Sequence, residues 1–115
     1  MAQGLPNPDR AFVDRRKVRD YLLSFDHGVG RYKAAFFLRL GYSRSRWTEF
    51  RADLLEMSRS VEAQIAERTR YGQKYVTVGP LGGSSGRTAK VTAVWIVRCG
   101  EDFPRLVTVV PGGVP

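Results

Sequence analysis

The segment TAKVTAVWIVR, residues 88–98, decides the fold, because β-branched and aromatic side chains dominate it. Alternate residues of an extended chain point to the same face, so Val91, Ala93, Trp95 and Val97 form one apolar face. The segment therefore predicts a strand with one buried side. A sheet built on this strand needs a cover over that side, which the rest of the chain must provide.

Further strands are predicted on both sides of this segment. Residues 61–68 alternate weakly between apolar and polar, residues 74–78 read KYVTV, and residues 106–110 read LVTVV. A loop rich in Gly, Pro and Ser at 79–86 and a turn at 100–102 separate the later strands. Connections this short join antiparallel neighbours, so we expect an antiparallel sheet of about four strands.

The first half of the chain has helical periodicity, with apolar residues three and four positions apart. Asp14 is placed to cap a first helix over 15–24. Gly41 is placed to end a second helix over 29–40. The apolar faces of these helices comprise Val18, Tyr21, Leu22 and Phe25, and then Val29, Tyr32, Phe36, Phe37 and Leu40.

A third helix is expected from a cap at Ser43 or Ser45 to about residue 59. Its apolar stripe comprises Trp47, Phe50, Leu54 and Met57. We thus predict one α+β domain over residues 1–115, in which about three N-terminal helices pack on the C-terminal antiparallel sheet. Its parts are an extended lead-in over 1–12, rich in proline, helices over 13–60 and the sheet over 61–111.

The charge of the chain points to polyanionic partners. It holds 19 Lys and Arg against 11 Asp and Glu, a net charge of +8. Residues 1–60 carry 12 basic and 7 acidic groups, and residues 61–115 carry 7 and 4. The excess therefore belongs to both halves and not to a detachable tail.

Composition excludes several classes of protein. Cys99 is the only cysteine and His27 the only histidine, so a disulfide within the chain and a zinc cluster are excluded, and we expect no cofactor and no metal. The first residues lack the apolar segment of a signal peptide, and no apolar run is long enough to span a bilayer. We therefore expect no membrane partner.

Motifs along nearly the whole chain resemble a bacterial family of small domains of unknown function. They are LPNPDRA at 5–11, His27, Val29, Gly30 and Lys33 with Phe36 and Phe37 before Gly41, YGQKY at 71–75, GRTA at 86–89, VWIV at 94–97 and PRLVT at 104–108. Members of that family occur alone and at the C-termini of large secreted proteins of the filamentous-haemagglutinin and polymorphic-toxin type. The resemblance implies a toxin or toxin-like domain, cytoplasmic or delivered as part of a secreted bacterial toxin.

The layout of helices followed by a sheet is also similar to the barnase, EndoU, colicin and RelE group of small metal-independent ribonucleases. This similarity implies RNA, tRNA included, as the substrate. A toxin-like domain normally meets an acidic immunity or antitoxin protein, and a charge of +8 would suit such a partner. In several toxin relatives the last strand ends in a Thr-aromatic-Pro pattern, whereas Thr108 and Pro111 here enclose two valines.

Cleaving RNA without metal needs a base for the 2′-hydroxyl proton, an acid for the 5′ leaving oxygen, and cations or donors for the phosphorane. His27 is a candidate base, because the N-terminus of the second helix disfavours an imidazolium and keeps the ring neutral. Gly28 and Gly30 would let a phosphate approach, and Arg31 and Lys33 would add charge. The alternative is a helix-entry histidine bonded to the backbone.

The predicted sheet offers further candidates. Lys74 could stabilise phosphate charge, and Tyr71 or Tyr75 could stack on a base or move a proton, although Lys74 and Tyr75 face opposite sides of a strand. Arg87 follows the glycine-rich loop, where it could clamp a phosphate. The alternatives are ordinary strand residues and a flexible hairpin loop.

The last strand contributes Arg105 and Thr108. Their odd separation predicts opposite faces unless a bulge intervenes, and Thr108 is a polar residue that needs a partner in an otherwise apolar strand. The predicted catalytic residues are His27, Lys33, Lys74, Tyr75 and Thr108. The predicted substrate-binding residues are Arg31, Tyr71, Arg87 and Arg105. By contrast, the basic first helix is predicted to be a solvated face, and Trp47 and Trp95 to be core.

These residues are compatible with functions of different classes. The favoured one is a metal-independent ribonuclease, toxin or toxin-like, that acts on RNA. The alternative is a non-catalytic basic module that binds nucleic acid or an acidic immunity-type protein. A third possibility is a structural domain of a larger secreted assembly.

Overall fold

The computed structural model of the chain describes residues 4–23, 30–82 and 86–112. Helix α1, Arg15–Lys17, is capped by Asp14 as predicted, because Asp14 Oδ1 accepts a hydrogen bond of 2.8 Å from the Arg16 amide. The helix continues as a π-turn over Val18–Leu22. Its predicted end at residue 24 lies outside the described residues.

Helix α2, Gly30–Arg39, ends where the sequence predicts. The Gly41 amide donates to the Leu38 carbonyl at 2.9 Å, and the Tyr42 amide donates to the Phe37 carbonyl at 3.1 Å. These bonds satisfy carbonyls that the helix itself leaves without partners. Gly41 therefore terminates α2.

Helix α3, Trp47–Ser60, begins differently from the prediction. A 3-10 turn, Arg44–Arg46, separates Ser43 from the helix, and the residue that precedes α3 is Arg46. The hydroxyls of Ser43 and Ser45 lie 3.2 Å from each other and cap no helix. The predicted serine cap is wrong because the extra turn carries both hydroxyls away from the first amides of α3.

The second half forms a sheet of four antiparallel strands in the order β1-β2-β3-β4, which confirms the α+β fold. The strands are β1, Ala63–Thr69; β2, Gly72–Leu81; β3, Ala89–Arg98; and β4, Pro104–Pro111. The predicted loop at 79–86 is wrong at 79–81, because β2 continues through them. At Gly79 a Cβ would lie 2.9 Å from the Met57 side chain, so glycine is there for close packing and not for a turn.

The lead-in was predicted to be extended, which is wrong at Pro8–Arg10, where the chain forms a 3-10 turn. The proline ring presets the φ of the first residue of this turn to a value that suits it. Beyond the turn, Phe12 bridges Arg105 in parallel at the edge of β4. The amide and carbonyl of Phe12 bond the backbone of β4 at 2.8 and 2.9 Å. This contact covers part of the β4 edge.

A bulge in β4 decides which of its side chains share a face. Arg105 lies opposite Ile96 and Thr108 lies opposite Val94, with a shift of register between them. Ile96 and Val94 are two residues apart in β3 and share a face, so Arg105 and Thr108 share that face too. Opposite faces were predicted only for a strand without a bulge, and the bulge in β4 brings the two residues to one face.

The helices cover one face of the sheet, which we call the covered face. Its buried residues include Val91, Ala93, Trp95, Leu106 and Val109, which join the helical core residues in one cluster. Trp95 is fully buried, and Trp47 packs partly buried against the same cluster, as predicted for both.

The other face, which we call the open face, carries Lys74, Val94, Ile96 and Thr108, all half-buried. It is therefore the face of the sheet on which side chains can meet a ligand. Nowhere in 4–23, 30–82 or 86–112 is a helix long and apolar enough to cross a membrane.

Candidate anion-binding site on the open face

Lys33 and Thr108 meet where α2 approaches β4. Lys33 Nζ donates a hydrogen bond of 2.8 Å to Thr108 Oγ1, in partly buried surroundings. The bond joins two of the residues predicted to be catalytic, which lie 75 positions apart in the chain. It also gives Thr108 the partner that a polar residue in an apolar strand requires.

The direction of this bond determines what the pair can do. A threonine hydroxyl has one proton to donate and two lone pairs to accept with. Because Thr108 Oγ1 accepts from Lys33, its own proton can be donated to another acceptor. An ammonium beside a hydroxyl that can still donate its proton can hold an anionic oxygen, such as that of a phosphate.

A cleft of about 400 Å³ lies beside Thr108. It is lined by Asp14, Arg16, Lys17, Val107 and Thr108. The basic residues of α1 were expected to form a solvated face; Arg16 is indeed 82% exposed, and together with Lys17 it lines this cleft. The bond from the Arg16 amide holds the pKa of the Asp14 carboxyl below its ordinary value of 3.8, so Asp14 is ionised at neutral pH and is not a general acid there.

A second cleft, of about 540 Å³, continues across the open face. It is lined by Arg70, Tyr71, Lys74, Ile96, Arg98, Cys99 and Val107. Val107 lines both clefts, so they adjoin at the β4 bulge. We call the two clefts together the basic groove, because Asp14 is the one acid among the described residues that line it.

Lys74 sits in this groove with an exchangeable partner. Its ammonium pairs with Glu67 at 3.1 Å, where the side chains are 28% and 68% exposed. Ion pairs with so exposed a partner contribute little, about 0–1 kcal/mol, so a phosphate can replace the carboxylate at small cost. Lys74 can therefore stabilise the charge of a phosphate, which is the role predicted for it.

Tyr75 and Arg87 lie away from the groove. Tyr75 is opposite Trp95 and packs on the core of the covered face. Arg87 lies beyond the Leu81 end of β2, whereas Tyr71 precedes the Gly72 end, roughly 30 Å away at the usual rise per strand residue. Neither residue is among those that line the two clefts of the basic groove.

Arg105 lies on the open face but already has several partners. It forms two hydrogen bonds with Glu101, at 2.9 and 2.8 Å, and its guanidinium lies over the rings of Phe12 and Phe103. The hydrogen bond from Arg105 holds the pKa of Glu101 below its ordinary value. The contact with Phe12 fastens the lead-in to β4 and the bonds with Glu101 fasten the β3–β4 turn, so Arg105 serves the structure.

Two predicted residues fall outside this description. His27 is not among the described residues, and the side chain of Arg31, in the first turn of α2, is not described either. Their roles stay predictions. Within the described ranges, no three His, Cys, Asp or Glu side chains form a group that could hold a metal ion.

The sequence did not identify Arg16, Lys17, Arg70 and Arg98 as groove residues. Arg70 and Arg98 could have been found from the sequence. Arg98 is the last residue of the predicted strand over 88–98, and Arg70 lies shortly after the predicted strand over 61–68. Alternation along a strand predicts which face the side chains at its ends occupy. No such pattern locates Arg16 and Lys17, because their position depends on how α1 docks beside β4. That docking involves the lead-in, which no local pattern reveals.

Comparison with known proteins places this geometry in context. Residues 4–113 match the model of a family described as a domain of unknown function, DUF6883. The fold is similar to a solved chain from Klebsiella pneumoniae 342, described as a contact-dependent growth inhibition toxin–immunity protein complex, with a TM-score of 0.70 and 15% identity over 93% of this chain and 97% of that one. At this identity the likeness concerns the fold alone. No curated protein matches the chain.

Proposed function

The chain belongs to the DUF6883 family, a domain of unknown function, and from its site we propose that it is a toxin-like domain that cleaves RNA without a metal ion. The observation that carries this proposal is the Lys33–Thr108 hydrogen bond at the basic groove. It supplies an ammonium and a hydroxyl beside a surface suited to a phosphate backbone.

The proposed reaction is a transfer within the RNA strand. The 2′-oxygen loses its proton to a base and attacks the adjacent phosphorus, the bond to the 5′-oxygen breaks, and an acid gives that oxygen a proton. The products are a 2′,3′-cyclic phosphate and a 5′-hydroxyl. Lys33 and Thr108 would donate to the non-bridging oxygens, where charge accumulates in the transition state.

His27 remains our proposed base. It lies six residues before Lys33 in the sequence, next to the start of α2. Lys74 would hold a neighbouring phosphate of the same strand. The toxin-like part of the proposal is supported by the fold shared with a chain from a toxin–immunity complex and by the net charge of +8, which suits RNA and an acidic immunity protein alike.

A cleavage assay tests this proposal. Purified protein is incubated with tRNA and total RNA in excess EDTA, and the 2′,3′-cyclic phosphate ends are quantified. We expect cleavage by the wild type, and a loss of roughly a hundredfold or more in Lys33→Met and His27→Ala. Lys90→Met is the matched control. Lys90 is an exposed lysine of β3 that lines neither cleft. No cleavage of any RNA by the wild type would overturn the proposal.

A second candidate function is a non-catalytic module that binds an acidic immunity-type protein or nucleic acid. The excess of cations in the groove favours it as well. Such a module binds with an affinity that falls steeply with salt and turns nothing over. Tight, salt-sensitive binding of RNA without cyclic phosphate products would favour this function over the ribonuclease.

A further inference from the structure

The groove ends at an aromatic residue that the reaction chemistry does not use. Tyr71 lies in the turn between β1 and β2, lines the second cleft, and is 62% exposed. Large aromatic side chains are usually buried, and the aromatic residues Trp95, Tyr42, Phe37 and Phe50 of this chain are fully buried. An exposed tyrosine at the end of a cationic groove therefore calls for a ligand.

The backbone that carries Tyr71 is held on several sides. The Tyr71 carbonyl accepts from the Cys99 amide at 3.0 Å, and the Tyr71 amide donates to Thr69 Oγ1 at 3.1 Å. At the next residue, Gly72, a Cβ would collide with the Val97 carbonyl oxygen, so the turn packs directly on β3. The ring thus stands on a turn tied to the neighbouring strand.

A cation accompanies the ring. The guanidinium of Arg70 lies 4.9 Å from the centre of the Tyr71 ring, and its Nη2 donates to the Tyr71 hydroxyl at 2.7 Å. This contact fixes the ring orientation and places a positive charge next to it. Arg98 and Lys74 line the same cleft.

We propose that Tyr71 and Arg70 form a subsite for one unpaired nucleotide, in which the base stacks on the face of the tyrosine ring opposite the guanidinium and a phosphate meets the arginine. The inference rests on the proposed action on RNA and deepens it, because it assigns single-stranded RNA as the substrate class. Every base has a face that can stack on an aromatic ring, whereas bases inside an A-form duplex keep their faces covered by their neighbours. A duplex could reach the cations of the groove but not the ring.

The subsite lies at a distance from the Lys33–Thr108 pair. Gly72 is four residues along β2 from Val76, which lies across β3 from Thr108 through Val94. Standard strand spacings put the two positions roughly 16 Å apart. The stacked nucleotide is therefore not the one being cleaved, and the subsite sets the strand's position and not the chemistry.

Binding of RNA analogues separates this inference from the proposed function. A short fluorescein-labelled RNA with 2′-O-methyl groups, which blocks cleavage, is titrated as a single strand and as a duplex, and anisotropy is measured. We expect Tyr71→Ala to weaken single-strand binding about five- to a hundredfold while duplex binding stays unchanged. Tyr71→Phe keeps a stacking face and should bind as the wild type does.

The control is Ile65→Ala, which removes an exposed apolar side chain that lines neither cleft. Circular dichroism establishes that each variant is folded. If Tyr71→Ala binds the single strand as the wild type does, or weakens single strand and duplex equally, the subsite is overturned while the ribonuclease proposal stands. If the wild type neither binds nor cleaves RNA, both proposals fall.

Discussion

The two faces of the sheet are built from the same strands but carry their polar groups differently. On the covered face, Trp95 Nε1 donates to Thr77 Oγ1 at 3.0 Å, and Ser58 Oγ lies 3.0 Å from the same Thr77 oxygen. All of these side chains are buried, and each satisfies another. Such a network stabilises one arrangement of helix and sheet and has no capacity left for a ligand.

On the open face the polar groups are only partly committed. Thr108 accepts from Lys33 and can still donate, and Lys74 is held by one exposed carboxylate. Lys74 and Tyr75 are neighbours in β2, but Lys74 lines the groove whereas Tyr75 packs on the core. The contrast teaches that substitutions on the covered face should reduce stability, and those on the open face should reduce RNA binding or cleavage.

The largest effect is expected for Trp95→Ala. Truncating this fully buried side chain removes a large apolar contact and the hydrogen bond that Nε1 donates to Thr77. We expect the free energy of unfolding to fall by about 3–5 kcal/mol. Urea denaturation followed by circular dichroism measures it, with Ile65→Ala as the exposed control. A loss below about 1 kcal/mol would show that the covered face is not the source of stability.

Thr108→Val is the matching test on the open face. Valine has nearly the same shape but cannot accept from Lys33 or donate to a phosphate. We expect RNA cleavage to slow by roughly a hundredfold, while the free energy of unfolding falls by no more than about 1–2 kcal/mol. Single-turnover cleavage and urea denaturation give the two numbers, and Thr88→Val, at an exposed site off the groove, is the control. A variant that loses stability but cleaves RNA normally would show that Thr108 serves the fold and not the cleavage.

Much of this two-faced architecture follows from local patterns. Alternation predicts β3 and its buried Trp95, and it separates Lys74 from Tyr75. The cap at Asp14 depends on neighbouring residues and was predicted as well. The strand at 79–81 was missed, because Gly and Pro favour a loop by composition, whereas Gly79 serves a close contact with Met57.

The site was harder to predict than the fold. Lys33 and Thr108 were each identified, but their contact depends on how α2 docks on β4, which neither segment encodes alone. The bulge near Val107 places Arg105 and Thr108 on one face despite their odd separation. Alternation allows for such a bulge but does not tell whether one is present. Both features depend on how one element docks on or pairs with another, which local patterns do not describe.

A smaller effect is expected for Lys74→Ala. Removing one phosphate contact should weaken binding of the 2′-O-methyl single strand several-fold and lower the slope of log K against log salt by about one. Lys90→Ala, at the far end of the same face opposite Pro80, should leave the slope unchanged. If the slope of log K against log salt is the same in the wild type and both variants, Lys74 makes no contact with an RNA phosphate.

The smallest effect is expected at Glu101, whose carboxylate accepts a hydrogen bond from Arg105 of β4. Its pKa is lower in the folded state than the ordinary 4.5, so its ionised form favours folding above that pH, and the contribution is lost as pH falls through the folded pKa. Glu101→Gln should therefore melt slightly below the wild type at neutral pH, and the difference should shrink in acid. Melting curves across this range check it, with exposed Glu62→Gln as the control. A difference in melting temperature that grows as the pH falls would contradict the predicted direction of the pH dependence.

An NMR titration tests the division between the two faces most directly. Isotope-labelled protein is titrated with the 2′-O-methyl single strand, and the backbone amide shifts are followed residue by residue. We expect shifts along the groove, at Tyr71, Lys74, Arg98, Val107 and Thr108. We expect none along a third cleft, between α3 and the end of β2, whose lining includes the acidic residues Asp53 and Glu56. Shifts centred on that third cleft, or no shifts at all, would contradict the division between the two faces.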